Sequence, residues 1–132
     1  MHRQLGAVAV PAPGDAPAVL IAPADGFADP PGLAVREDVL DAVGGPEPVF
    51  SGALAELVAR IEAAGHAVEV RNDRAPVRRP TPGRLAREGA ARLWLFRRDA
   101  ERFPLPRPRE VGWRFPFMAV GALRANGLPT RG

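Results

Sequence analysis

The chain has 132 residues, enough for one domain with its own core, and its 46% hydrophobic and 25% charged content is ordinary for a globular protein. It has no cysteine, which excludes a disulfide frame and a thiolate metal site. The net charge is only +3, but the 18 basic side chains are all arginine and unevenly placed.

Residues 1–70 hold three arginines against ten acids, a balance of −7, whereas residues 71–132 hold fifteen against five, a balance of +10. Charge so segregated points to a polyanionic partner, with mutual neutralisation of the two halves as the competing expectation. Sixteen prolines interrupt most segments, so short elements joined by stiff, extended connections are expected. No run approaches the roughly twenty apolar residues that span a bilayer. Pro11 and Pro13 also cut the first apolar run too early for a signal peptide. A soluble cytoplasmic protein that does not engage a membrane is expected.

In chain order, Leu5 to Val10 and Ala18 to Ala22 read as two strands of a hairpin across the turn-forming PAPGDAP. Gly26 to Gly32 reads as a loop. Arg36 to Val43 reads as a short helix with Val39, Leu40 and Val43 inward, ended by Gly44-Gly45-Pro46. The clearest stretch follows. Ser51 suits a helix N-cap, and Leu54, Leu57, Val58 and Ile61 recur on one helical face. Glu56 and Arg60 form an i,i+4 pair on the outer side, and Gly65 suits a left-handed stop. Val68 and Val70 then alternate with Glu69 and Arg71 as a strand. The segment Ser51 to Arg74, with its Asn-Asp-Arg ending, resembles a small α/β module found ahead of certain superfamily-two helicase motors. The resemblance covers that segment alone, and no motor motif accompanies it; it implies proximity to nucleic acid and nothing more.

Residues 72–82 read as a proline- and arginine-rich linker between the acidic and basic halves. Thr81 before Pro82 suits an N-cap with proline at N1, opening one or two helical turns through Glu88. Arg92 to Arg97, RLWLFR, reads as a short buried strand with Trp94 and Phe96 facing the core together. Phe103 to Pro108 alternates with proline and is extended. Phe115 to Asn126 reads as a helix with Phe117, Val120 and Leu123 inward, stopped by Gly127. The sum is a single α/β (α+β) domain over residues 1–132. A small mixed or antiparallel sheet packs on one central helix, with proline-rich extended segments around it.

The catalytic inventory is thin: Ser51, Thr81 and Thr130 for hydroxyls, His2 and His66 for imidazoles. Ser51 and His66 fall at opposite ends of one helix, and Val49 stands where a nucleophile elbow needs glycine. Asp25, Asp29, Glu37, Asp38 and Asp41 cluster without calcium-loop spacing and read as a solvated acidic face. No phosphate-loop lysine follows Gly44-Gly45 or Ser51-Gly52. Neither enzymatic activity, cofactor nor metal is expected.

The basic half carries the candidate site. Arg71, Arg74, Arg78 and Arg79 cluster at and beyond the strand end, and Arg97, Arg98, Arg107, Arg109, Trp113 and Arg114 interleave charge with an aromatic ring. Guanidinium groups suit phosphates, and flat rings suit bases. The leading expectation is a non-enzymatic nucleic-acid-binding or nucleoprotein-associated protein, using sequence-nonspecific arginine–phosphate contacts. The alternative is a structural or adaptor subunit that binds an acidic protein partner through its proline-rich basic half.

Overall fold

The computed structural model describes residues 1–22, 29–47, 52–72 and 81–125. The chain groups into two compact units, Met1–Val49 with Ala53–Arg78, and Phe50–Gly52 with Arg79–Gly132.

The first unit is a four-stranded mixed sheet with two helices. Strand β1 is His2–Gly6, β2 Ala18–Ile21 and β3 Gly32–Arg36, followed by α1, Glu37–Val43, α2, Ala53–Ala63, and β4, Val68–Arg71. The order across the sheet is β1-β3-β2-β4, antiparallel except for the β2–β4 pair. The expected hairpin between the first two strands does not form. Strand β3, in a stretch where no strand was expected, enters between β1 and β2, pairing Leu33 with both Leu5 and Leu20. Its residues Leu33, Ala34 and Val35 are buried on both faces, so they lack the alternation that marks a half-buried strand.

Alternation within β2 and β3 divides the core. Ala18, Leu20, Leu33 and Val35 join Val39 and Leu40 of α1 and Leu57 and Ile61 of α2 on one side; Val19, Ile21 and Ala34 meet Val10 on the other. Each fully buried valine, leucine or isoleucine here contributes about 1.5–3 kcal/mol. A side-chain amide closes the second layer: Gln4 Nε2 donates to the Val10 carbonyl and Gln4 Oε1 accepts from its N–H, both at 2.8 Å.

Helix α2 ends as its sequence indicates. Gly65 is left-handed (φ 94°), with its N–H donating to Glu62 O and that of His66 to Ile61 O. Its start is held from a distance, because Asp29 Oδ1 accepts the Ala55 N–H at 3.0 Å. Ser51, the expected cap, lies outside the described residues. The Glu56–Arg60 pair is present but is not on an outer side. Glu56 is buried, and Arg60 also donates to the carbonyls of Val43 (2.7 Å) and Gly45 (2.8 Å), tying α2 to the end of α1.

The second unit is helical. Helix α3 spans Pro82–Arg98, α4 is the single turn Pro108–Val111, a 3₁₀ turn covers Gly112–Arg114, and α5 spans Phe115–Ala125. Thr81 Oγ1 accepts the Arg84 N–H at 3.2 Å, so the expected cap opens α3. The expected strand at Arg92 to Arg97 is corrected: those residues are the last turns of this 17-residue helix. Trp94 and Phe96 therefore diverge around it, whereas two residues apart on a strand they would share a face. The buried side of α3 is Leu85, Glu88, Gly89, Ala91 and Leu95, and a glycine and an acid within it hide the helical period.

Glycine also decides how α3 meets α5. A methyl group on Gly89 would stand 1.8 Å from the Met118 carbonyl oxygen, and one on Gly121 would stand 1.8 Å from that of Ala86. The backbones touch at both points. Because Gly89 meets Met118 while the earlier Ala86 meets the later Gly121, the helices run antiparallel. The inward face of α5 is thus Met118 and Gly121; Phe117, Val120 and Leu123, expected inside, are exposed.

Candidate nucleic-acid interface

An antiparallel pair places the end of α3 and the start of α5 at the same end of the second unit. Arg97 and Arg98 occupy the last turn of α3, and the connection to α5 carries Arg102, Arg107, Arg109, Trp113 and Arg114. Six expected site residues, Arg97, Arg98, Arg107, Arg109, Trp113 and Arg114, are therefore gathered there. All are exposed except Arg114, which is half-buried. Arg102, also exposed, lies among them.

Local structure explains how this connection holds its shape. Asp99 Oδ1 accepts the Arg102 N–H at 3.2 Å, and the Asp99 carbonyl accepts the Phe103 N–H at 2.9 Å. Glu110 Oε1 accepts the Arg107 N–H at 2.8 Å, while the Arg107 carbonyl accepts that of Glu110 at 2.9 Å. These carboxylates are aimed at backbone. A third acid, Glu88, is buried in α3 with its Oε2 2.7 Å from Arg92 Nε. The second unit holds twelve arginines against four acids, a balance of +8, and the first six against eleven, a balance of −5.

The two tryptophans differ. Arg98 Cζ lies 4.4 Å from the centre of the half-buried Trp94 ring, so a cation already covers one face of that ring. Trp113 is exposed and meets Phe117 edge to face, with centroids 6.3 Å apart at 77°.

The other expected residues lie elsewhere. Arg71 belongs to β4 in the first unit: its Nε lies 2.8 Å from Glu69 Oε2, and its terminal nitrogens donate to the carbonyls of Pro11 and Ala12. That guanidinium fastens the loop after β1 to the sheet edge. Arg74, Arg78 and Arg79 lie outside the described residues.

The titratable groups of the first unit that were singled out are held by their neighbours. His2 Nε2 is 2.6 Å from the Ala16 carbonyl oxygen. In the acidic cluster Glu37 lies 3.5 Å from Arg3, and Asp38 is held by Arg36 through Nε–Oδ1 at 2.7 Å and Nη2–Oδ2 at 3.1 Å. The hydrogen bonds from Arg36 hold the Asp38 carboxyl below its usual range and raise the guanidinium in turn. Among the described residues no three metal-ligating side chains converge, and no helix is long and apolar enough to cross a membrane.

The exposed side of α5 escapes the sequence reading. The usable signal is the small residues, Ala86 and Gly89 on α3 and Gly121 on α5, which mark where backbones approach and hence which face turns outward. No family model, curated protein or solved structure matches the chain, including the stretch that resembles a helicase-associated module.

Proposed function

We propose that the chain is a non-enzymatic nucleic-acid-binding or nucleoprotein-associated protein whose helical second unit lays arginines along phosphates without reading base sequence. One observation carries this reading. Exposed Arg97, Arg98, Arg102, Arg107 and Arg109 collect with exposed Trp113 at one end of the α3–α5 pair, in a unit of balance +8. Guanidinium groups displace counterions from a phosphate chain, and an open indole offers a stacking face to an unpaired base. Prolines 104, 106 and 108 restrict the connection that carries them, which lowers the entropy lost on binding. The reading implies a cytoplasmic setting.

The test is fluorescence anisotropy with labelled generic single- and double-stranded oligonucleotides at about 50 mM and about 200 mM salt, a range over which phosphate-dominated binding falls steeply. Replacing Arg97, Arg98, Arg107 and Arg109 together by alanine is expected to flatten the salt dependence on duplex, by about 0.9 in log–log slope for each phosphate left without its arginine. Trp113→Ala is expected to weaken the single strand more than the duplex. Absence of binding at the lower salt sinks the reading. Weakened binding on replacing Arg74, Arg78 and Arg79, with the other arginines indifferent, moves the site to that linker.

A further inference from the structure

Trp113, Phe117, Val120 and Leu123 follow one another at spacings of four, three and three, and so run along one side of the 3₁₀ turn and α5. They are 63%, 38%, 51% and 52% exposed. Met118 and Gly121, turned away from Val120 and Leu123, are already packed on α3. A row of large apolar chains on the outside of a helix marks a binding surface more often than a solvated one. Ten residues of helix span about 15 Å, the length of three turns.

Charge narrows the occupant. Glu110 is the last acid in the chain, and Arg114 and Arg124 stand at the two ends of the row. A second copy of this chain, laid either way, would set arginine against arginine. Val120 and Leu123 have neither ring nor hydrogen-bonding group to give a nucleotide. Helices that lie on a bilayer back their apolar side with a basic polar one. The back of α5 is instead apolar and packed, and Arg124 is its sole charged residue. A helix with an apolar seam and carboxylates near both ends fits the row and the two cations.

We infer that the outward face of α5 is a docking surface for an acidic amphipathic helix of a partner protein. This goes beyond the phosphate reading and does not depend on it, since Val120 and Leu123 have no part there. The probe is a synthetic four-turn peptide with leucines along one face and glutamates flanking them, titrated by anisotropy against the full chain. Its companion has every glutamate replaced by lysine. The acidic peptide is expected to bind saturably, and the lysine version about tenfold more weakly or worse. Val120→Ser with Leu123→Ser is expected to weaken the acidic peptide by about tenfold or more, with helical circular dichroism unchanged.

Failure of the acidic peptide to saturate, equal affinity of the two peptides, or indifference to the serine pair each overturns the proposal. So does sedimentation with phosphatidylglycerol vesicles that is abolished in the serine pair while the peptide fails to bind, which assigns the face to a bilayer. Concentration-dependent dimerisation abolished by the same pair assigns it to a second copy and overturns it likewise. If the serine pair loses helical signal, Leu123→Gln replaces it, and the comparison of the two peptides on the unaltered chain still decides.

Discussion

Helices α2 and α5 are each eleven residues long and each carry leucine, two in α2 and one in α5, yet they hold to their units by opposite means. On α2 the side chains make the contact, with Leu57 and Ile61 fully buried against the sheet. On α5 the backbone makes it, through Gly121 and through the carbonyl of Met118, while Leu123 stays outside. Where Gly121 touches α3, Met118 is the large apolar chain of α5 that turns inward, and Phe117, Val120 and Leu123 are left facing outward. Among the described residues the first unit buries most of its large apolar chains, Met1 and Val70 excepted, whereas the second leaves a row of its own exposed.

The sharpest test of that contrast replaces the same residue on both helices. Leu57→Ala is expected to cost about 3 kcal/mol in denaturant unfolding, within the usual range for a buried leucine. Leu123→Ala is expected to cost about 0.5 kcal/mol or less. Comparable losses would mean that the face of α5 is covered.

Next in size is Gly89→Ala. Its methyl would collide with a carbonyl oxygen, and overpacking of about 3 kcal/mol, less about 1 kcal/mol of helix propensity, leaves roughly 2 kcal/mol of destabilisation. Gly83→Ala, in the same helix with nothing within 4 Å of its added carbon, is expected to stabilise slightly. Equal signs for the two would break the close-approach account.

Asp29→Ala removes a carboxylate that reaches the Ala55 N–H from 26 residues away, and is expected to cost about 1 kcal/mol. Hydrogen exchange would read the loss in the first turn of α2 and leave α5 unchanged.

Smallest is the effect of pH on the Arg36–Asp38 pair. The hydrogen bonds from Arg36 depress the Asp38 carboxyl, so the stability it confers is complete above the usual carboxylate range. It is lost as pH falls through the depressed value. Carbon NMR titration is expected to find Asp38 low, and Arg36→Ala to return it upward, with little change in unfolding because the pair is exposed.

Legibility in the sequence follows the same division. The body and end of α2, strand β4 and the start of α3 are readable because each is announced locally, by an apolar period, Gly65 or Thr81-Pro82. Strand β3 is not, since burial on both faces removes its alternation. The last turns of α3 pass for a strand because the buried positions that precede Leu95 on the helix are Glu88, Gly89 and Ala91, which show no large apolar period. The facing of α5 inverts for a related reason: apolar size suggests Phe117, Val120 and Leu123, and backbone proximity chooses Gly121. At the candidate site, the arginines are visible as a list. Their collection at one end needs the antiparallel pairing, and the structural employment of Arg71 needs the carbonyls of Pro11 and Ala12.

Gly52 bears on any attempt to dissect the molecule. It is left-handed, and a methyl on it would stand 3.1 Å from Trp94 Cε3 and 3.3 Å from Ala91 Cβ, so it lies flat against α3. Gly52 groups with the second unit although helix α2, which follows it directly, groups with the first. A fragment expressed from residue 79 onward would thus arrive without a piece of itself, Trp94 stripped of a neighbour and its fluorescence shifted to the red. Isolating that half faithfully calls for a rearranged gene in which Gly52 is spliced back on.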